Sequence, residues 1–198
     1  MDNRLYESEA RRAGYFLVAG VDEAGRGPLA GPVVAAAVIL PEDIELDGVR
    51  DSKKMSERAR KEAFPLIKKG AVGLSLAVVD PKEIDRINIL QATRKAMKQA
   101  VLALDPQPDY LLIDGIDPVD LPIHQRCITK GDDLSLSISA ASVLAKVYRD
   151  RIMYSYHRLY PQYDFASNKG YGTLDHREAI VKHGPCCIHR STFKGVLK

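Results

Sequence analysis

Residues 15–28 read YFLVAGVDEAGRGP, and this stretch organises the rest of the chain. Its first half is apolar, rich in β-forming residues and too short for a helix of normal length, which predicts a buried strand over residues 16–21. Two adjacent acids, Asp22 and Glu23, follow directly. Because open α/β sheets bind ligands beyond the carboxyl ends of their strands, these acids are candidates for a functional site.

A glycine-bracketed arginine, Gly25-Arg26-Gly27, comes after the two acids. In a strict strand Asp22 and Glu23 point to opposite faces, so at most one of them faces a site unless the backbone turns. Glycine makes such a turn easy. The same segment would let backbone amides approach a nucleic-acid strand closely, and an ordinary tight turn is the alternative interpretation.

The composition is that of an ordinary folded protein. The 198 residues are 45% hydrophobic and 28% charged, with a formal net charge of +3 that allows a polyanionic partner without requiring one. The length favours a single domain over residues 1–198. No stretch is apolar enough to span a bilayer and the amino terminus lacks a signal-peptide core, so we expect a cytoplasmic protein with no membrane partner.

The remaining patterns predict an α/β fold. A second apolar run over residues 31–40 follows so closely that an antiparallel pairing with the first strand is favoured. The part from about 161 to 198 is expected to be a helical and loop-rich subregion. Apolar periodicity and capping residues, Ser56 among them, predict strands over 72–79, 110–113 and 123–128, and helices over 57–69, 81–104, 135–160 and 174–182.

Two of the predicted strands end in an acid, Asp22 in one case and Asp114 in the other. If these strands are parallel neighbours, the two carboxylates meet at one edge of the sheet. With Glu23 and Asp132 they would form a set of oxygen ligands suited to hard divalent cations such as Mg²⁺. Each acid taken alone is more often a solvated turn residue, so the spacing by itself leaves the question open.

Two other segments carry candidate site residues. In Gly170-Tyr171-Gly172 the glycines leave the ring free to stack on a sugar or base, and Lys169 beside it is a candidate phosphate contact. Near the carboxy terminus, two histidines and two cysteines lie close enough in sequence to suggest a zinc site. The vicinal Cys186 and Cys187 lack the usual two-residue gap, so zinc is the weaker interpretation.

Taken together, the motifs resemble those of the bacterial ribonuclease HII family from about residue 16 to residue 193. Several long motifs in the family's order make the resemblance specific, unlike any one motif alone. The motifs are Asp22-Glu23-Ala24-Gly25-Arg26-Gly27-Pro28, Asp51-Ser52-Lys53-Lys54, Ile113-Asp114-Gly115, Lys130-Gly131-Asp132, Ser139-Ala140-Ala141-Ser142 with Lys146, Asn168-Lys169-Gly170-Tyr171-Gly172-Thr173, and His189-Arg190-Ser191-Thr192-Phe193.

The resemblance implies a ribonuclease H-like fold, in which helices flank a central mixed five-stranded sheet and a helical region lies at the carboxy terminus. It also implies an endonuclease that cleaves the RNA strand of RNA–DNA hybrids and incises duplex DNA on the 5′ side of an embedded ribonucleotide. The cofactor would be Mg²⁺ or Mn²⁺, with two ions when substrate is bound.

The resemblance also assigns roles to individual residues. The metal-binding catalytic acids fall on Asp22, Glu23, Asp114 and Asp132. The glycine-arginine-glycine segment would read the ribose 2′-hydroxyl, and Tyr171 would sense the junction with DNA. The implied substrate-binding residues are Gly25, Arg26, Gly27, Ser52, Lys53, Lys146, Lys169 and Tyr171.

Several alternatives stay open at this point. Asp133 and Asp150 compete with Asp132 for the position of the fourth acid, and Asp132 is preferred because it occupies the family's Lys-Gly-Asp position. The protein is expected to be a monomer. Other functions compatible with the motifs are a carboxylate-metal nuclease that acts on DNA and a hybrid-binding protein without catalytic activity.

Overall fold

A mixed sheet of five strands forms the centre of the protein, which a computed structural model describes for residues 3–46, 48–49 and 52–196. The strand order is β3-β2-β1-β4-β5, with β1 antiparallel to β2 and parallel to β4. β2 and β3 pair antiparallel, and β4 and β5 pair parallel. The predicted mixed five-stranded sheet is confirmed. The strands are β1 (Val18–Ala24), β2 (Val33–Ile39), β3 (Gly73–Val79), β4 (Tyr110–Asp114) and β5 (His124–Ile128).

Helices cover both faces of this sheet, and α5 crosses its centre. None of the helices in the described part of the chain combines the length and apolar character needed to cross a membrane. The described α-helices are α1 (Leu5–Arg12), α2 (Glu57–Gly70), α3 (Pro81–Leu102), α4 (Gly131–Leu134), α5 (Leu136–Leu159), α6 (Phe165–Asn168) and α7 (Leu174–His183), with 3₁₀ turns at Ser52–Lys54 and Pro161–Tyr163.

Side-chain caps begin four of these helices. The predicted cap Ser56 accepts from the Ala59 N–H at 3.1 Å, and Asp80, Ser135 and Thr173 cap α3, α5 and α7 in the same way. Two details differ from the sequence prediction. Helix α2 extends one residue beyond the predicted 57–69 to Gly70, and α3 is interrupted at Asn88, whose φ is 65°.

Strand β1 begins two residues later than predicted, with Phe16 exposed, and it extends three residues further, so that it includes both acids. Its parallel pairing with β4 ends at Val21 opposite Ile113, whereas its antiparallel pairing with β2 continues to Ala24 opposite Val34. Pairing with β2 therefore keeps the backbone of β1 extended after the apolar run has ended. On the other side the sheet opens, which creates room beside Asp22.

Alternation along β1 explains how the sheet separates its two cores. Ala19 and Val21 pack on the face covered by α3, whereas Gly20 faces α5. A Cβ atom at Gly20 would lie 2.1 Å from the carbonyl carbon of Ser137, so α5 packs directly on the strand. Asp22 shares the face of Gly20 and is thereby directed towards α5.

The residues after α5 pack as a separate cluster on its second half. Phe165 of α6, Ile180 of α7 and Met153 of α5 are buried together, and Leu29 and Ala30 from the segment after β1 join them. An isolated bridge pairs Ala30 with His189. The expected helical region at the carboxy terminus is thus present, and it contacts the segment that follows the two acids.

Candidate active site

Three carboxylates meet where β1, β4 and α4 approach one another. One oxygen from each of Asp22, Asp114 and Asp132 lies within 4.8 Å of the others, and this is the one such cluster among the described residues. Backbone amides hold two of them: the Glu23 N–H donates to Asp22 Oδ1 at 2.7 Å, and the Gly131 N–H donates to Asp114 Oδ1 at 2.7 Å. The parallel pairing of β1 with β4 brings the two strand-end acids together.

Burial and like charges favour the protonated form of two acids in this region, Asp22 and Glu23. Burial, and then the neighbouring Glu23 and Asp114 carboxylates, raise the pKa of Asp22 well above its usual value. Burial also raises the pKa of Glu23, against the lowering effect of Arg26. The clustered carboxylates offer only oxygen atoms, and their negative charges repel one another. A hard divalent cation prefers oxygen ligands and would neutralise this charge.

The other acids of the region have separate partners. Glu23 stands beside the cluster rather than in it, with Oε1 3.4 Å from an Arg26 guanidinium nitrogen. Asp133 forms an ion pair with Lys54 at 2.6 Å. Asp150 forms one with Lys146 at 2.7 Å. Of the two competitors for the fourth acid, neither belongs to the cluster that contains Asp132.

Two serines connect α5 and the 3₁₀ turn to the acids. The Ser142 side chain is hydrogen-bonded to Asp22, and its Oγ lies 2.8 Å from Ser52 Oγ. When Asp22 is ionised it only accepts, so Ser142 donates to Asp22 and Ser52 donates to Ser142. Ser142 lies in the motif Ser139-Ala140-Ala141-Ser142, to which the sequence assigns no role. Its position one helical turn before Lys146 was the available signal, because i and i+4 side chains share a face.

Arg190 holds the Gly25-Arg26-Gly27 segment from behind. This guanidinium is fully buried and donates to the carbonyls of Gly25 at 2.6 Å, Arg26 at 2.9 Å and Gly31 at 2.9 Å. Because the C=O and N–H of a trans peptide point in opposite directions, the amides of Arg26 and Gly27 point away from the buried arginine. The segment lines the same cleft as Asp22 and Asp114.

Arg149 of α5 is a second buried cation next to this segment. It donates to the carbonyls of Ala30 at 3.1 Å, Pro32 at 2.9 Å and Lys169 at 3.0 Å. Gly25 has a φ of +100°, and a Cβ there would lie 2.1 Å from Arg149 Nε, so glycine is required. Burial lowers the pKa of Arg149 to about 10. Sequence reasoning assigned neither buried arginine a role.

Tyr171 completes the rim of the cleft. Its side chain is 45% exposed, and a Cβ at Gly27 would lie 3.7 Å from its ring. The Arg149 guanidinium lies 6.0 Å from the ring centroid. The cleft has a volume of about 260 Å³, and its lining includes Asp22, Glu23, Gly25, Arg26, Gly27, Ser52, Lys53, Asp114, Ser142, Lys146, Arg149 and Tyr171.

The predicted phosphate contacts divide into two groups. Lys53 and Lys146 lie in the cleft, and Lys53 Nζ is 3.1 Å from Asp132 Oδ2. Lys169 instead lines a neighbouring groove with Glu57 and Arg60, and its Nζ donates to the Ala166 carbonyl. Asp51, the first residue of its motif, lies outside the described residues.

Comparisons with known proteins place these features in a family. The family model for ribonuclease HII matches residues 19–196. The ribonuclease HII of Geobacter sulfurreducens is 58% identical over 191 residues, which cover 96% of this chain and 88% of the relative. That of Caldanaerobacter subterraneus is 55% identical over 190 residues, covering 96% and 79%.

Solved structures agree with this relationship. The ribonuclease H2 of Pyrococcus horikoshii superposes with a TM-score of 0.76 at 28% identity, covering 91% of this chain and 95% of that one. Bst-RNase HIII, a ribonuclease HIII solved in complex with Mn²⁺, superposes with a TM-score of 0.69 at 19% identity. The match covers 94% of this chain and 70% of that one, and it shows that the two share a fold. From its sequence and its ribonuclease H-like structure, this chain belongs to the ribonuclease HII family of endonucleases, which act on RNA–DNA hybrids.

Proposed function

We propose that the cleft around Asp22, Asp114 and Asp132 is the active site, and that it incises duplex DNA on the 5′ side of an embedded ribonucleotide as well as cleaving long hybrids. The observation that carries this proposal is the convergence of three elements on one cleft. The carboxylates would bind the metal, and the Gly25–Gly27 segment would contact the ribose. Tyr171 would contact the adjoining sugar.

The three clustered acids would hold a divalent cation, Mg²⁺ or Mn²⁺, and Glu23 would contribute to a second one when substrate is bound. Such cations activate water and stabilise the oxygen that leaves the phosphodiester. The chain's own task is to hold the acids in place. Ser142 fixes Asp22, and the Gly131 amide fixes Asp114.

The Gly25–Gly27 segment would recognise the ribose. The 2′-hydroxyl is both donor and acceptor, and it distinguishes RNA from DNA at the cut. The guanidinium of Arg190 binds the carbonyls of Gly25 and Arg26 on one side of the segment. The amides of Arg26 and Gly27 therefore point to the other side, where they would be available to this hydroxyl. Lys53 and Lys146 would contact phosphates on the same strand.

Tyr171 would stack under the sugar that adjoins the ribonucleotide. Its ring adjoins Gly27, so the ribose and its neighbour would be read at adjacent positions. A ribose at the neighbouring position would be disfavoured, which gives specificity for the junction between RNA and DNA.

We also infer that residues 1–198 form a single catalytic domain that acts as a monomer in the cytoplasm. The sheet supports this organisation, because one set of five strands carries the acids and the carboxy-terminal cluster packs on α5. Sedimentation of the purified protein would give a single species of monomer mass, and a stable dimer would contradict the inference.

The test uses a DNA duplex that contains one ribonucleotide, with and without Mg²⁺. Asp22→Asn is expected to lose at least about 10³-fold in turnover, because the cluster loses a charged ligand. Asp120→Asn is the matched control, since that acid pairs with Lys98 on an exposed part of the surface. Cutting without metal, or full activity in Asp22→Asn, would refute the proposal.

Further substrates separate the alternatives. An all-DNA duplex is expected to remain intact, and its cleavage would indicate a nuclease acting on DNA. Binding of the hybrid without turnover in Mn²⁺ would indicate a non-catalytic hybrid-binding protein. Both outcomes are read in the same gel assay, with the wild-type protein on a long hybrid as the positive reference.

A further inference from the structure

Two buried histidines lie directly behind Tyr171. His176 on α7 and His189 near the carboxy terminus are 0% and 6% exposed, and their Nε2 atoms are 3.0 Å apart. His176 Nδ1 lies 2.8 Å from the carbonyl oxygen of Tyr171. His189 Nδ1 lies 2.9 Å from the backbone nitrogen of Cys186. These groups form a continuous line from Cys186 to Tyr171, which we call the imidazole relay.

The two ends of the imidazole relay fix its proton positions. A backbone carbonyl only accepts, so His176 carries a proton on Nδ1 and donates it to Tyr171. His189 Nδ1 also lies 3.2 Å from Cys186 Sγ and 3.3 Å from the Cys186 carbonyl oxygen, but the Cys186 N–H is nearest. A backbone N–H only donates, so His189 Nδ1 is unprotonated and accepts from it. For two neutral rings this places the other proton on His189 Nε2 and none on His176 Nε2. The middle hydrogen bond therefore runs from His189 to His176, and all three bonds have the same direction.

We propose that His176 and His189 are positioning residues for Tyr171, which set its ring for the junction between RNA and DNA. This proposal rests on the function proposed for Tyr171. The carbonyl of Tyr171 accepts from the Thr173 N–H at 2.8 Å as well as from His176, so two donors fix one peptide plane. The partly exposed ring extends from that fixed backbone to a position against Gly27.

The surroundings keep both imidazoles neutral. Burial lowers the pKa of His176, as does Arg177, against the raising effect of the Tyr171 carbonyl. Burial, followed by the neighbouring His176, lowers the pKa of His189 to about 4. The titratable and charged groups around the pair come from several elements: Tyr163 against both rings, His183 beyond Tyr163, Cys186 at His189, and Arg177 on α7.

An added proton would break the direction of the relay. On His176 Nε2 it would face the N–H of His189, and on His189 Nδ1 it would face the N–H of Cys186. The support for Tyr171 therefore requires both rings to be neutral. Because the pKa of both histidines lies below the ordinary value of 6.5, the ratio of single-ribonucleotide incision to long-hybrid cleavage in the wild-type enzyme should be constant near neutral pH and fall only when the pH drops well below 6.5. Taking the ratio removes the effect of protonating the acids, because both reactions use them.

Two substitutions at one position separate positioning from packing. In His176→Asn the amide nitrogen can take the place of Nδ1 and keep the bond to Tyr171. In His176→Gln the amide oxygen can take the place of Nε2 and keep only the bond to His189. We expect Asn to preserve the substrate ratio within about twofold and Gln to lower it about tenfold, mainly in kcat for the single-ribonucleotide substrate. Equal ratios in the two variants would overturn the proposal.

Tyr171→Ala, measured beside them, distinguishes a failure of the function proposed for Tyr171 from a failure of the imidazole relay. If Tyr171→Ala leaves the substrate ratio unchanged, the proposed function of Tyr171 fails. If it lowers the ratio while His176→Gln matches His176→Asn, only the imidazole relay fails. Imidazole ¹⁵N NMR of the wild-type protein at about pH 7.5 does not depend on how the variants fold. It should show Nδ1–H for His176 and Nε2–H for His189, and the opposite pair would overturn the proposal.

Discussion

The cleft has two parts that are built in different ways. The carboxylate cluster, Asp22, Asp114 and Asp132, is made of side-chain charges on β1, β4 and α4. The reading rim, Gly25–Gly27 and Tyr171, is made mainly of backbone and one ring. Burial, followed by the neighbouring Glu23 and Asp114 carboxylates, raises the pKa of Asp22 in the cluster. The rim is held from behind by groups that donate to its carbonyls, Arg190 and His176 among them.

On the function proposed above, this difference separates chemistry from selectivity. The functional atoms of the carboxylate cluster would belong to the named side chains, so we expect a substitution there to remove the reaction itself. In the reading rim the functional atoms are largely backbone, and the side chains that matter lie behind them. Substitutions of the supporting residues should therefore change which substrate is cut more than whether cutting occurs.

The largest expected effect is on turnover, and it should distinguish Asp132, which belongs to the cluster, from its neighbour Asp133, which does not. Asp132→Asn should lower turnover on a long hybrid at least about 10³-fold, because it removes a charged ligand. Asp133→Asn should keep its turnover within about twofold of the wild-type value, because Asp133 pairs with Lys54, whose side chain is partly exposed on the surface. Steady-state rates at saturating Mg²⁺ measure both. A larger loss in Asp133→Asn would move the boundary of the cluster to that residue.

The next effect tests the support behind the reading rim. Arg190→Met leaves three backbone carbonyls without their donor, and each loss of this kind costs about 1–3 kcal/mol. We expect a marked drop in the free energy of unfolding, measured by denaturant titration, together with weaker discrimination against an all-DNA site. Arg86→Met is the control, because Arg86 forms an exposed ion pair with Glu83 on α3. Wild-type stability in Arg190→Met would contradict the role of this cation.

A smaller effect separates the two halves of the reading rim. Tyr171→Ala should lower incision at a single ribonucleotide about tenfold and cleavage of a long hybrid less, because only the former requires recognition of the junction. Tyr154→Ala is the matched control, as it removes an exposed tyrosine of α5 that lines a different groove. Parallel time courses on the two substrates measure the ratio. Equal losses on both substrates would remove the junction role from Tyr171.

The smallest effect concerns the stability of the metal-free protein. Folding raises the pKa of Asp22, so its ionisation opposes folding as the pH rises above the usual value. Asp22→Asn should therefore raise Tm in chelator at neutral pH by about 2–4 °C. The difference should disappear as the pH falls below about 4, where the wild-type carboxyl is protonated in both states. Added Mg²⁺ should stabilise the wild type more than the variant. A lower Tm for Asp22→Asn in chelator would contradict the cost of ionising this carboxyl, which is buried and lies beside Glu23 and Asp114.

Local patterns were sufficient to predict the sheet and the positions of its strand-end acids. The apolar runs before Asp22 and Asp114 made both strands visible, and their parallel pairing brings the acids together. The β1–β2 pairing followed from the short connection between them. These features depend on residues that are close in sequence or on a regular period.

Long-range contacts account for what could not be predicted. Arg190 reaches the Gly25 carbonyl across 165 positions, and Arg149 reaches Pro32 across 117. An arginine that binds backbone carbonyls has no sequence pattern of its own. The same applies to His176, which lies in none of the motifs, and to His189, which the sequence offers only in the last motif and in a weak zinc set. Residue roles taken from the family resemblance, such as that of Lys169, remain predictions.

The strand order has a consequence for how a newly synthesised chain behaves. Strands β1, β2 and β3 are consecutive and antiparallel, so they can pair as soon as residue 79 has emerged. The edge of β1 that receives β4 then stays unpaired until residues 110–114 follow, and α5 arrives later still. An apolar edge strand without its neighbour is prone to pair with other chains. The interval between these two points of synthesis is therefore when this protein most depends on protection from aggregation.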